Sequence, residues 1–138
     1  MTWIVVLSCG DRKAGSPRPA YLLYTGTAFI SNLTWARSVM PLSRIYILSA
    51  KHGLIPSSQE IAPYDLKMGS RGSASSDMIK AQALILGVSK ASICFIGGQS
   101  YYETLRHAFD RVEHPTKGLT MGYRAQWMKR NRGKFPYS

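Results

Sequence analysis

The apolar run Ile45–Leu48 ends in Ser49-Ala50 and is followed at once by Lys51, His52 and Gly53, in "IYILSAKHGLIP". Nine residues past Pro56, "APYD" adds Tyr64 and Asp65. An imidazole can donate to a developing anion or accept a proton near neutral pH. A tyrosine beside an aspartate suits a site that stacks a flat ring and stabilises positive charge, as a nucleobase on an oxocarbenium-like sugar would require. Lys51 and His52 are adjacent, so on extended backbone they point different ways, one toward a crevice and one toward solvent. Read as structure alone, His52 is a packing histidine, Asp65 caps a turn and Tyr64 packs on a sheet.

Three further stretches carry chemistry-bearing residues. "SCGDRK" places Cys9 before a glycine turn, then Asp11, which could orient a water, and Lys13, which could meet a phosphate. Cys9 as a nucleophile would need a neighbouring base, so it is read as a residue that packs or positions backbone at a base. "LYTG" supplies Tyr24. "GGQSYY" places Gly97-Gly98 before a helix whose first N–H groups are unpaired, a ready anion site, or else an ordinary strand–helix turn; Gly98 and Tyr101 are candidates for contacting a base. Neither GxxxxGK[ST] nor GxGxxG occurs, which excludes the common mononucleotide and dinucleotide loops.

These residues need elements to hold them. Trp3 to Leu7, "RIYILSA" and "ASICFIGG" are short apolar runs of buried strands, and "RVEHP" is a fourth, shorter one. Between them, helical spacing predicts helices from about Thr27 (a capping residue) to Met40, from Ser76 or Asp77 to about Leu86, and over "QSYYETLRHAF". A last helix over "TMGYRAQWMKRN" is expected to turn Met121, Ala125 and Met128 inward, with Arg124 and Lys129 outward. The stretch from Lys51 to Ser76 shows no periodicity and reads as a long functional or mobile loop. Alternating strands and helices imply an α/β three-layer sandwich around a central, mostly parallel four-stranded sheet. In such folds ligands bind beyond the carboxyl ends of the strands, where the exit loops converge.

The chain has 138 residues, 45% of them hydrophobic, enough for one domain spanning 1–138. Eighteen Lys and Arg face seven Asp and Glu, a formal charge of +11, which favours a polyanionic partner. After Glu113 come Lys117, Arg124, Lys129, Arg130, Arg132 and Lys134 with no acid, a basic helix and tail over about 117–138. Such a segment attracts phosphates without reading sequence, or is a frayed, solvating end. Lys13 and Lys51 join it as candidate phosphate contacts. The partner expected is nucleic acid, DNA rather than RNA. Cys9 and Cys94 have no disulfide or metal spacing. No apolar run is long enough for a membrane, and the N-terminus lacks a signal peptide's basic start. A cytoplasmic monomer is expected.

In order, "LSCGDRK", "RPAYLLYTGTAF", "YILSAKHGLIP", "APYDL" and "MGYRAQWM" resemble a family of small bacterial and phage proteins. That family is similar to the YaaA-like proteins and to the glycosylase-like domain of archaeosine tRNA-guanine transglycosylases. The resemblance implies a uracil-DNA glycosylase-like fold and carries Cys9, Lys13, Tyr24, Lys51, His52, Gly53, Tyr64 and Asp65 as pattern residues. Some relatives are implicated in excising modified bases from phage DNA, which points to antiviral defence; others only bind DNA. His114-Pro115-Thr116 is similar to the His-Pro-Ser loop of uracil-DNA glycosylases, whose histidine stabilises the departing base. Their first catalytic loop, Gly-Gln-Asp-Pro-Tyr, is here Cys-Gly-Asp-Arg-Lys, so the stacking tyrosine is missing and uracil is not the expected substrate.

The expected activity is hydrolysis of the N-glycosidic bond of a modified base flipped out of DNA, with no cofactor. Asp65 or Asp11 would stabilise the sugar cation, His52 or His114 would donate to the base, and Tyr64 or Tyr24 would stack on it. A non-catalytic nucleic-acid-binding module, or a hydrolase or transferase of free nucleosides or nucleotides, are the alternatives.

Overall fold

The computed structural model describes residues 2–138. Its central sheet runs through β1 (Trp3–Ser8), whose side chains alternate between two apolar layers. Val5 and Leu7 enter one core with Leu33, Trp35 and Ala36, while Ile4 and Val6 enter the other with Ile79, Ala83 and Leu105. A strand buried on both faces reads as a continuous apolar run, which is why this one was legible. β1 pairs in parallel with β3 (Ile45–Ser49) on one side and β6 (Ser92–Ile96) on the other, and β6 pairs in parallel with β7 (Val112–Glu113).

The sheet has five strands and is mixed, where four mostly parallel strands were expected. The extra strand, β4 (Gly53–Pro56), lies antiparallel on the β3 edge, Ser49 opposite Gly53 and Leu48 opposite Leu54. Ala50, Lys51 and His52 form a three-residue hairpin loop, closed by Gly53 at φ +72°. Gln82 reaches across to pin it, accepting from Leu54 N–H at 2.8 Å and donating to the His52 carbonyl at 2.7 Å. The stretch read as one long loop also holds β5 (Glu60–Ile61), paired antiparallel with β2 (Arg18–Pro19).

Helices cover both faces. α1 (Ala20–Leu23), α2 (Thr27–Val39) and α5 (Met121–Arg130) accompany one core, and α3 (Ser76–Leu86) and α4 (Gln99–Leu105) the other, giving an α/β three-layer arrangement. Ser75 caps α3 by accepting from Met78 N–H, and Gly87 ends it at φ +75°. Thr27 is not a cap: it is the first helical residue of α2, and Gly26 precedes it with no side-chain cap. α4 stops at Leu105, short of Phe109, because the chain turns there with Ala108 N–H bonded to the Leu105 carbonyl.

The buried face of α5 differs from the expected one. Met128 is buried, Trp127 packs on the core and Arg124 is half-buried, whereas Met121 and Ala125 are exposed. The chain after α5 is docked rather than frayed. Trp35 donates from Nε1 to the Asn131 carbonyl at 2.9 Å, Gly133 N–H donates to Ser38, and Phe135 and Tyr137 lie against Trp3 with ring centroids 5.5 and 5.0 Å away. Among the described residues no helix is long and apolar enough to cross a membrane.

Candidate functional site

The exits of β1, β3 and β6 meet at one end of the sheet, as parallel strands in register require. Cys9, one residue past β1, donates its backbone N–H to the Leu48 carbonyl of β3 at 3.0 Å, and its thiol stands 3.1 Å from the Tyr101 hydroxyl on α4. Ser49, the last residue of β3, is wholly buried, and a buried hydroxyl demands partners. Its Oγ accepts from the Lys51 and His52 N–H groups at 3.2 and 3.0 Å, which tightens the hairpin loop. Its hydrogen goes to the Tyr64 hydroxyl at 2.7 Å, and that hydroxyl meets the Tyr24 hydroxyl at 2.7 Å. Five groups from five separate segments (Cys9, Tyr24, Ser49, Tyr64 and Tyr101) thus form one thiol–hydroxyl cluster.

Burial holds all three phenols in their protonated form. The Tyr64, Tyr101 and Tyr24 pKa values are pushed far above the ordinary tyrosine range, first by burial and then by the nearby Cys9. The cluster therefore offers neutral O–H dipoles, suited to hydrogen-bonding a polar heterocycle. It is not a reservoir of phenolate.

The rim is charged. Lys13 places its ammonium 4.5 Å from the centre of the Tyr64 ring and 5.8 Å from that of Tyr24. Asp11 is exposed, and its charge adds to the rise at Tyr101. Asp65 is exposed and follows Tyr64 directly. The His52 ring stands edge-on to Tyr64, centroids 5.5 Å apart, and its nitrogens make no hydrogen bond among the described residues. Burial, then the adjacent Lys51, lower its pKa below 6.5. A proton titration followed by NMR should place His52 below the free-histidine value, and Lys51→Gln should move it upward. An unchanged midpoint in that variant would show that Lys51 does not set the protonation of His52.

The expected stacking roles look different in three dimensions. Tyr24 is 2% exposed and its ring packs against Phe29, so its hydroxyl is the part it brings to the cluster. Tyr64 is half-buried, with Lys13 over its ring and its hydroxyl engaged. Gly98 donates its N–H to Ser8 Oγ at 3.4 Å, and a Cβ on the preceding Gly97 would run into Ser8 and Phe95. Gly97 is what lets the β6 exit approach β1.

His114 lies on the same edge but serves the loop. Its ring packs between Phe95 and Tyr102, each centroid 5.0 Å away, and its Nε2 bonds the Gly97 carbonyl at 3.2 Å. A carbonyl only accepts, so Nε2 carries the proton and Nδ1 is unprotonated. Burial, helped by the Arg124 and Lys117 charges and opposed by the Gly97 bond, lowers its pKa to about 4. The unfolded chain then takes up a proton below pH 6.5 that the folded chain refuses until about pH 4. Stability should fall across that window by about 1–3 kcal/mol, the half-buried ring being partly screened. His114→Gln keeps a donor for Gly97, and urea midpoints between pH 7 and 4 should show a shallower loss in that variant. An identical pH profile would mean that His114 is not buried in its neutral form.

The basic residues behave as a surface. Arg106 and Arg111 make the two ion pairs found among the described residues, with Glu103 and Glu113. Lys51, Lys117, Lys129, Arg130 and Arg132 are exposed, and Lys117 lies 5.3 Å from the Tyr102 ring centre. Cys94 is sealed in the core, its pKa pushed up to about 12 by burial and then by Glu113, so it is inert. Ser8 and Ser49 were missed by sequence reasoning. Ser49 had one signal, a hydroxyl at the end of a buried apolar run.

The model of DUF6884, a family of unknown function, matches residues 4–130 of the chain. The chain belongs to DUF6884. No curated protein matches it. The matched span of the DUF6884 chain runs from β1 to the end of α5 and so takes in the whole thiol–hydroxyl cluster with Asp11, His52 and Asp65.

Proposed function

We infer that the protein is a DNA base glycosylase that hydrolyses the N-glycosidic bond of a modified base flipped out of the duplex, with a uracil-DNA glycosylase-like fold and a role in phage defence. One observation carries the reading: the neutral hydroxyl cluster at the strand exits has Asp11, whose charge reaches Tyr101, and the His52 ring, edge-on to Tyr64, beside it, with exposed Asp65 next to Tyr64 in the chain, on a domain of charge +11. Glycosidic cleavage builds positive charge on the sugar and negative charge on the leaving base. Asp65 or Asp11 answers the first and positions the water. A His52 N–H and the phenols answer the second. His114, with its proton on Gly97, is assigned to holding the loop. The basic surface grips phosphates while unstacking costs a few kcal/mol.

A non-catalytic nucleic-acid-binding module is the second reading. The burial of Tyr24 and the ammonium over Tyr64 favour it, since both reduce the face on which a base can stack. Incubation with unmodified and phage-modified DNA, followed by assay for free base and alkali-labile abasic sites, separates them. Base release supports the glycosylase. Gel retardation without release supports the binding module, and turnover of free nucleosides alone moves the substrate class away from DNA.

A further inference from the structure

On the face of the sheet carrying α2 and α5, the first turns of these helices lie side by side and frame a groove of about 130 Å³. We propose that this groove binds the phosphate of a phosphoester, with the ester's carbon skeleton against its apolar wall. α2 is 13 residues long and α5 ten, and the residues before them, Gly26 and Thr120, make no side-chain cap. Neither first turn contains an acid. Each helix therefore presents unpaired N–H groups and the positive end of its dipole toward the same region.

Two side chains in the groove point independently to an anionic ligand. Asn32 is 5% exposed, lines the groove, and its amide makes no hydrogen bond among the described residues. A buried amide normally has a partner, and one left open toward a groove is a ligand contact in waiting. Arg124 lines the opposite side. Among the described residues its buried Nε has no partner and no carboxylate pairs with it. Guanidinium is the group of choice for phosphate oxygens. The rest of the wall is Ala28, Met121 and Ala125 with the hydroxyl residues Thr27 and Ser31, mostly apolar, so the groove fits a phosphate carrying carbon better than a bare ion. Met121 is 74% exposed, although sequence reasoning turned it inward, so its side chain is free to cover such a skeleton.

A strand phosphate of DNA and the phosphate of a free nucleotide share this chemistry, and the test distinguishes them. The ¹H–¹⁵N spectrum would be titrated with a deoxynucleoside 5′-monophosphate. The salt dependence of binding to a single-stranded oligonucleotide would be measured in parallel. The amides of Ala28 and Gly122 should shift and saturate with the monophosphate. Arg124→Gln should weaken that binding by at least about tenfold. Ala28→Glu guards against an unfolded variant: a carboxylate in the first turn of α2 stabilises the helix but repels phosphate, so a fully folded protein should lose binding. If the oligonucleotide salt slope also falls by about 0.7 in Arg124→Gln, one strand phosphate occupies the groove. An unchanged slope with monophosphate binding intact in the wild type assigns the groove to free nucleotides. Monophosphate shifts that do not localise to the two first turns, or unaltered binding in both variants, would overturn the proposal. Base release is not measured, so a phosphate site in a protein that excises nothing leaves this inference standing and removes only the glycosylase reading.

Discussion

Asp65→Asn is expected to cut base release by about a hundredfold or more, within the range for loss of a positioned acid or base, while DNA affinity stays the same or tightens slightly. The substitution preserves shape, removes the charge and turns one acceptor oxygen into a donor NH2. Charge is what the proposed cleavage needs, because the sugar would become cationic as the base departs. Asp65 is exposed and directly follows Tyr64, whose hydroxyl is fixed by Ser49 and Tyr24, so its backbone is held beside the cluster, and among the described residues no salt bridge consumes its carboxylate. Removing an acid from a surface proposed to meet phosphates lowers repulsion, so binding should not suffer. The readout is single-turnover release of free base, with Asp11→Asn run alongside. Loss only in Asp11→Asn would transfer the role to the β1 exit loop. Full activity in both variants would remove carboxylate catalysis, and with it the proposed mechanism.

Trp35→Ala should cost about 3–5 kcal/mol of unfolding free energy, the range for deleting a large buried aromatic. Trp35 is 1% exposed, lies 5.1 Å centroid to centroid from Trp127, and donates to the Asn131 carbonyl at 2.9 Å. It is the bolt between α2 and the C-terminal segment. Trp35→Phe should recover most of the packing and lose about 1 kcal/mol for the missing indole donor. Urea denaturation measures both, and limited proteolysis should find the chain beyond Asn131 cut faster in Trp35→Ala. A loss under about 1 kcal/mol would mean that the C-terminal segment does not depend on this anchor. The proposed phosphate contacts Arg124, Lys129, Arg130 and Arg132 ride on the segment that Trp35 fastens.

The elements most easily read from residues alone were those whose pattern repeats locally. Trp3–Ser8, Ile45–Ser49 and Ser92–Ile96 are continuous apolar runs, and a helix from Ser76 or Asp77 to about Leu86 is stopped by Gly87. β4 escaped because a four-residue edge strand containing proline carries too little pattern. Its identity comes from pairing with β3 and from Gly53 accepting φ +72°. The α5 face was misassigned because three methionine and alanine positions at helical spacing outweighed Arg124. A half-buried arginine is explained only by what surrounds it.

The candidate site divides in the same way. Cys9 and His52 could be named from their positions at strand exits, Tyr64 and Asp65 from an aromatic beside a carboxylate, and the excess of basic residues favoured a polyanionic partner. That Tyr24 and Tyr64, forty residues apart, would bring their hydroxyls to 2.7 Å with Ser49 behind them was decided by tertiary structure. So was the use of the His114 proton by Gly97 and the meeting of Asn32 with Arg124 across one groove. Periodicity and turn chemistry act over a few residues and are written into the order of the chain. Hydrogen-bond partnership and burial depend on where distant loops come to rest, which is set by how the two apolar layers close on the sheet.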